Sequence, residues 1–225
     1  MKNNKILIVL MPVLLIILFA FGYLNVTNTK TDPIKFKNEY EKYNNEFYKI
    51  TVNKDNNIKY SNYDEITKAI KSDTAIFYFG TSKDNDSRYA INNLLNLLEN
   101  KKMDTVVYYL DISNDRYSYV VENDKVVYEL DKNGNEIKGS NDYIKLVSVL
   151  DEFLLPYKLE VNDKTYDTLK KQILIPTLVF VKSGSILGAL NVTVDIPYDE
   201  LHEIYESYLN VMYQSSCDLN SVVPC

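Results

Sequence analysis

Thr74-Ala-Ile-Phe-Tyr-Phe79 and Thr105-Val-Val-Tyr-Tyr-Leu-Asp111 are two short apolar runs of the kind that form strands buried on both faces. Between them, from Arg88 to about Asn100, Ile91, Leu94, Leu95 and Leu98 recur at helical spacing. Strand, amphipathic helix and strand make a βαβ unit, which requires parallel strands covered by helices. The chain is therefore read as an α/β protein with a sheet flanked by helices. Hydrophobic residues make up 46% of the 225 and charged residues 25%, a balance that suits a packed core rather than disorder. Net charge is −6 with no basic block, which disfavours nucleic acid as a partner.

Other segments follow the same periodicities. Asp32-Pro33 starts a polar helix running to about Tyr48 and expected to pack loosely, since a capping side chain precedes a proline. Lys49–Val52 and Ile58–Tyr60 read as short strands, and Tyr63, Ile66 and Ile70 share a helical face. Tyr119–Val121 and Lys125–Leu130 read as a hairpin. Asn141 to Leu155 reads as a helix ended by Pro156, with a shorter helix around Tyr166–Lys171. Ile175–Lys182, Ser183-Gly184 and Ser185–Leu190 form a second hairpin, and Pro197 opens a last helix bearing Leu201, Ile204, Tyr208, Leu209 and Met212.

Residues 6–24 carry no charge and follow Lys2 and Lys5. Nineteen apolar residues at ~1.5 Å each nearly match a ~30 Å hydrocarbon layer. The expectation is a single-pass anchor with a cytoplasmic tip (1–5), a stalk and linker helix (25–48) and an extracytoplasmic body at the cell membrane. A cleaved signal peptide, with Ala20-Phe21-Gly22 near the cut, is the competing reading.

Phe77-Tyr-Phe-Gly80 leading to Arg88 resembles the Phe-Gly-x-x-x-Cys-x-x-Cys-Arg stretch of membrane-anchored thioredoxin-like proteins of Gram-positive bacteria, bacteriocin transport accessory proteins among them. Ile175-Pro176-Thr177 followed by Lys182-Ser-Gly-Ser-Ile-Leu-Gly188 resembles the proline signature of the same family. The resemblance covers about residues 58–112 and 165–213. It implies a thioredoxin-like domain over 49–213, with an inserted hairpin and helix at about 117–160 and a tail at 214–225. It further implies a cis bond before Pro176, facing the redox pair. It also implies a groove in which the loop before Pro176 pairs its backbone with an extended peptide. Thr81, Asp84, Asp86, Leu174, Ile175, Pro176 and Thr177 are the candidates for that groove. Alternatively Pro176 only fixes a turn before an edge strand.

The departure from the family lies at its chemistry. With Phe79-Gly80 and Arg88 as fixed points, the two cysteines fall on Asp84 and Ser87. Thiol–disulfide exchange needs a thiolate and a resolving thiol, and a carboxylate and a hydroxyl supply neither. Asp84 reads instead as a helix cap, and no catalytic residue is assigned. The two cysteines present, Cys217 and Cys225, outside the membrane read as a disulfide clip closing a short loop, with a displaced redox centre as the sharper alternative. His202 is the only histidine and has no Gly-x-Ser-x-Gly beside it, so hydrolase triads are not expected. Asp131-Lys-Asn-Gly-Asn-Glu136 lacks the glycine and glutamate of a calcium loop and reads as a turn. No cofactor and no metal are expected. The function expected is a membrane-tethered binding or accessory module for a peptide or partner protein; the alternative is an oxidoreductase, or a substrate of one, working through Cys217 and Cys225.

Overall fold

The structure is a computed structural model and describes residues 31–46 and 48–214. The expected anchor at 6–24, its tip and the Cys217–Cys225 pair lie outside the described residues. Among those residues no helix is long and apolar enough to cross a membrane.

Helix α1 (Asp32–Glu41) comes first, then β1 (Ile58–Tyr60), α2 (Tyr63–Ala69), β2 (Ala75–Phe79), α3 (Asn85–Asn100) and β3 (Val107–Leu110). The hairpin β4 (Tyr119–Glu122) and β5 (Lys125–Tyr128) follows, then α4 (Asn141–Val149) and a 3-10 turn at Asp151–Phe153. A second hairpin, β6 (Pro156–Val161) and β7 (Lys164–Lys171), leads to β8 (Thr177–Lys182), β9 (Ser185–Asn191) and α5 (Tyr198–Tyr213). Five strands form a mixed sheet in the order β1-β3-β2-β8-β9. β1 and β2 both run parallel to β3, and β8 and β9 are antiparallel additions.

Strand alternation divides the core in two. Ile76, Tyr78, Val107, Tyr109, Leu178 and Phe180 face α1, α3 and α5, while Phe77, Phe79, Tyr108, Val179 and Val181 face α2 and α4. All five residues of β2 are buried, as a central strand covered on both sides must be.

Four expectations are corrected. The first helix ends at Glu41 rather than near Tyr48, and it is not loosely packed: Phe36 and Tyr40, one turn apart, are both fully buried. Their rings stack with centroids 4.0 Å apart, and both meet Tyr109 edge-on. Two aromatic anchors of about 2–3 kcal/mol each outweigh the polar remainder of the helix. Lys49–Val52 is no strand. Side chains take the place of a ladder there, with Ile50 N–H donating to Asn44 Oδ1 (3.0 Å) and Val52 N–H to Glu41 Oε1 (2.9 Å). The fourth long helix stops at Val149 and tightens into the 3-10 turn before Pro156. Finally, Tyr166–Lys171 is the second strand of a hairpin, not a helix. Asn162 and Asp163 both take positive φ (50° and 62°), the two-residue turn that joins antiparallel strands.

The aromatic side of the core holds its hydroxyls in a chain. Tyr40 O–H donates to Tyr78 Oη (3.0 Å), and Tyr78 O–H donates to the Ser87 carbonyl (2.8 Å). Burial holds the phenols of Tyr40, Tyr78 and Tyr205 well above their ordinary value. Burial likewise pushes Tyr48 and Tyr108 up to about 12, the latter aided by the Asp73 carboxylate that accepts its hydroxyl. The folded state thus keeps protons that the unfolded chain releases near the ordinary tyrosine pKa of about 10. Stability is expected to be level below about pH 10 and to fall as pH rises toward about 12. Phenolate absorbance should therefore lag a free-tyrosine titration and rise together with the loss of circular dichroism. A smooth titration with the dichroism intact contradicts this.

Gly134 and Gly184 both adopt positive φ, 81° and 78°. A Cβ on Gly184 would lie 2.3 Å from the Lys71 carbonyl oxygen, whereas one on Gly134 meets nothing within 4 Å. Gly184→Ala is expected to cost about 1–3 kcal/mol beyond the loss in Gly134→Ala, measured by denaturant unfolding.

Candidate functional site

The register of the central strands brings the two halves of the expected groove to one end of the sheet. Phe79, the last residue of β2, pairs with Thr177, the first of β8. The loop Gly80–Asp84 leaves that end and the loop Leu174–Pro176 enters it. In a sheet with parallel strands, this end beyond their carboxyl termini is where ligands are commonly held.

Asp84 is the N-cap of α3, its Oδ2 accepting from Ser87 N–H at 2.7 Å. Ser87 is buried, and its Oγ accepts from Thr81 N–H at 3.3 Å. Asp84 and Ser87 are thus both engaged in closing the helix start. His202 lies in α5, stacked on Tyr198. Asp86 is held as well, its Oδ1 accepting from Val194 N–H at 2.6 Å, and Tyr89 O–H donates to the Ile196 carbonyl at 2.8 Å. These two bonds tie the first turn of α3 to the segment between β9 and α5.

Arg88 follows directly and is 1% exposed. Its guanidinium bonds Asn44 Oδ1 and lies 5.0 Å from the Tyr48 ring centroid, with Nε unpaired among the described residues. The sequence used Arg88 only as a landmark. Its burial comes from the 44–48 segment folding over it, which no local pattern announces.

The Ile175–Pro176 bond is cis, and the loop around it is braced from its flanks. Thr177 O–H donates to the Leu174 carbonyl (2.8 Å), and the Pro176 carbonyl accepts from Asn191 Nδ2 (2.6 Å) and Val192 N–H (3.3 Å). Ile175 N–H and C=O enter none of these main-chain bonds. The flanking Leu174 and Thr177 line a groove of about 250 Å³ together with Leu154, Leu155, Pro156 and Ala189 among others. Lys158 is the one charged residue in its lining. Leu155, at the lip, is 81% exposed.

Of the expected groove residues, the structure thus brings Leu174 and Thr177 to a cavity. Thr81, Asp84 and Asp86 are at the same end of the sheet but are occupied in holding α3. The cavity wall from Phe153 to Lys158 and Gln172 was missed, because it is formed by the second hairpin. Its one available signal was a neutral polar residue, Gln172, opening the apolar run toward Pro176. Asp131, by contrast, is a turn as expected, its Oδ1 accepting from Asn133 and Asn135 N–H, both at 2.8 Å.

No family model matches the chain, and neither a curated protein nor a solved structure matches it.

Replacing the cap tests which role Asp84 has. Asp84→Ala is expected to lower stability by about 0.5–2 kcal/mol and Asp84→Asn by only a few tenths, read from denaturant unfolding. An alanine variant as stable as the parent removes the capping role.

Proposed function

We propose that this chain is a membrane-tethered, extracytoplasmic protein of thioredoxin-like fold that lacks a thiol pair at α3 and works as a binding or accessory module for a peptide or partner protein. The fold part of this reading is supported by the strand order β1-β3-β2-β8-β9, with parallel strands first and the antiparallel pair last. A helix starting behind β2 and a proline loop ahead of β8 add to it. The membrane part is supported by the uncharged run at 6–24.

One observation carries the binding part. Among the described residues the main chain at Ile175 enters no bond of its own loop, and its neighbours Leu174 and Thr177 line a largely apolar groove at the sheet end where Asp84 and Ser87 start α3. A free N–H and C=O beside an apolar slot suit an extended peptide, whose backbone pairs while its side chains enter. At α3 the Asp84 carboxylate and the Ser87 hydroxyl are both engaged in closing the helix start.

The test uses the full chain in its membrane. A photo-crosslinking residue at Ile175 is expected to yield a discrete protein adduct that a residue at the remote Asp163 does not. Equal labelling at both positions contradicts the binding role. Insulin reduction by the same preparation decides the redox alternative. Turnover that vanishes in Cys217→Ser would replace the binding reading with an oxidoreductase centred on the tail.

A further inference from the structure

The groove beside the proline loop carries a single charge. The continuous segment Phe153–Lys158 lines it together with Leu174, Thr177 and Ala189, and no carboxylate enters its lining. Its volume of about 250 Å³ falls below the ~300–1,000 Å³ of sites that hold drug-sized molecules, so it suits one side chain rather than a nucleotide or a cofactor. Lys158 is exposed and enters no ion pair among the described residues. Two other lysines of the same hairpin are paired, Lys171 with Asp151 (3.1 Å) and Lys164 with Asp124 (3.2 Å). Across the hairpin from Lys158 stands Asp167, whose Oδ1 accepts from Leu169 N–H at 2.7 Å.

An accessible ammonium beside an apolar slot complements an anion carried on an apolar body. Backbone geometry decides where on a peptide that anion can sit. Successive side chains of an extended chain point to opposite faces, and those on one face recur about 7 Å apart. An acidic residue next to the inserted side chain therefore points away from the slot, and one on the same face lies a full repeat along. The carboxylate of a C-terminal residue is bonded to the same Cα as its side chain, so both reach one small site together. Lysine's ammonium is a point charge on a flexible four-carbon stem, which can follow the carboxylate while the stem covers apolar surface.

Resting on the peptide-binding reading above, we propose that this groove takes the C-terminal residue of a partner chain, its apolar side chain against Leu155 and Leu174 and its α-carboxylate on the Lys158 ammonium. Leu155, 81% exposed without a ligand, is withdrawn from water when the side chain is seated. Partners are thereby restricted to chains whose last residue is apolar. An internal apolar residue fills the slot but leaves Lys158 without its anion.

The probes are acetyl-Ser-Thr-Ser-Thr-Leu with a free carboxylate, the same peptide as its C-terminal amide, a free-acid version ending in Ser, and octanoate. Binding is measured to the full-length protein in nonionic detergent, as parent, Lys158→Gln and Lys158→Arg. The parent is expected to bind the Leu acid about fivefold more tightly than the amide and at least tenfold more tightly than the Ser acid. Added salt removes the advantage of the acid and leaves the amide unchanged. In Lys158→Gln the acid and the amide become equal, whereas Lys158→Arg keeps the preference. Because Lys158 is exposed, both variants are expected to melt with the parent, and the comparison of acid with amide on the parent stands whether or not they do. Equal binding of acid and amide by the parent, equal binding of Leu and Ser peptides, or a preference that survives Lys158→Gln each overturn the proposal. Octanoate binding as tightly as the Leu acid also overturns it, since the groove is then a fatty-acid site. An adduct at Ile175 with acid and amide bound alike would retain the peptide-binding reading and discard only the capture of a chain end.

Discussion

Tyr78 is the residue on which most of the structure converges. It is the penultimate residue of the central strand and is fully buried, so its hydroxyl must be paired inside the protein. It takes Tyr40 O–H and gives its own proton to the Ser87 carbonyl, which joins α1, β2 and the first turn of α3 in one chain of bonds. The ring needs room along its own strand end as well. A Cβ on Gly80 would lie 2.2 Å from Tyr78 Oη, so the residue that closes β2 has no side chain. The start of α3, the turn that leads to it and the seating of α1 all follow from satisfying one buried phenol.

That arrangement bears on the chemistry at α3. Ser87 is anchored through its carbonyl to Tyr78 and through its hydroxyl to Thr81, while Asp84 spends its carboxylate on the cap. The helix start is a capped terminus, with the Ser87 N–H answered by the Asp84 carboxylate. Across the sheet end, the proline loop is different. Its flanks are braced through Thr177 and Asn191, but among the described residues Ile175 keeps its peptide groups apart from that bracing.

How much could be read in advance depended on whether the deciding force was local. Ala75–Phe79, Val107–Leu110 and α3 were legible because continuous apolar strands and a 3.6-residue stripe leave few alternatives. Asp84 as a cap was legible because capping is settled within one turn. Phe36 and Tyr40 misled because two aromatics on a polar helix look exposed until Tyr60, Tyr78 and Tyr109 arrive from elsewhere in the chain. Tyr166–Lys171 misled because its strand character depends on pairing with Pro156–Val161 across the Asn162-Asp163 turn. Lys49–Val52 has strand composition but spends its N–H groups on Asn44 and Glu41 side chains.

The sequence alone therefore determined the α/β class, the βαβ heart and the capping role of Asp84, because each rests on residue type and on contacts within a few positions. Tertiary structure alone decided that the 80–84 and 174–176 loops share one end of the sheet, since this follows from the Phe79–Thr177 register. It also decided that Gln172, unremarkable among its lysine neighbours, is buried with its oxygen unpaired. Burial of that kind is a property of the whole fold: the hairpin base, the 3-10 turn and β9 must all be present before the cavity exists.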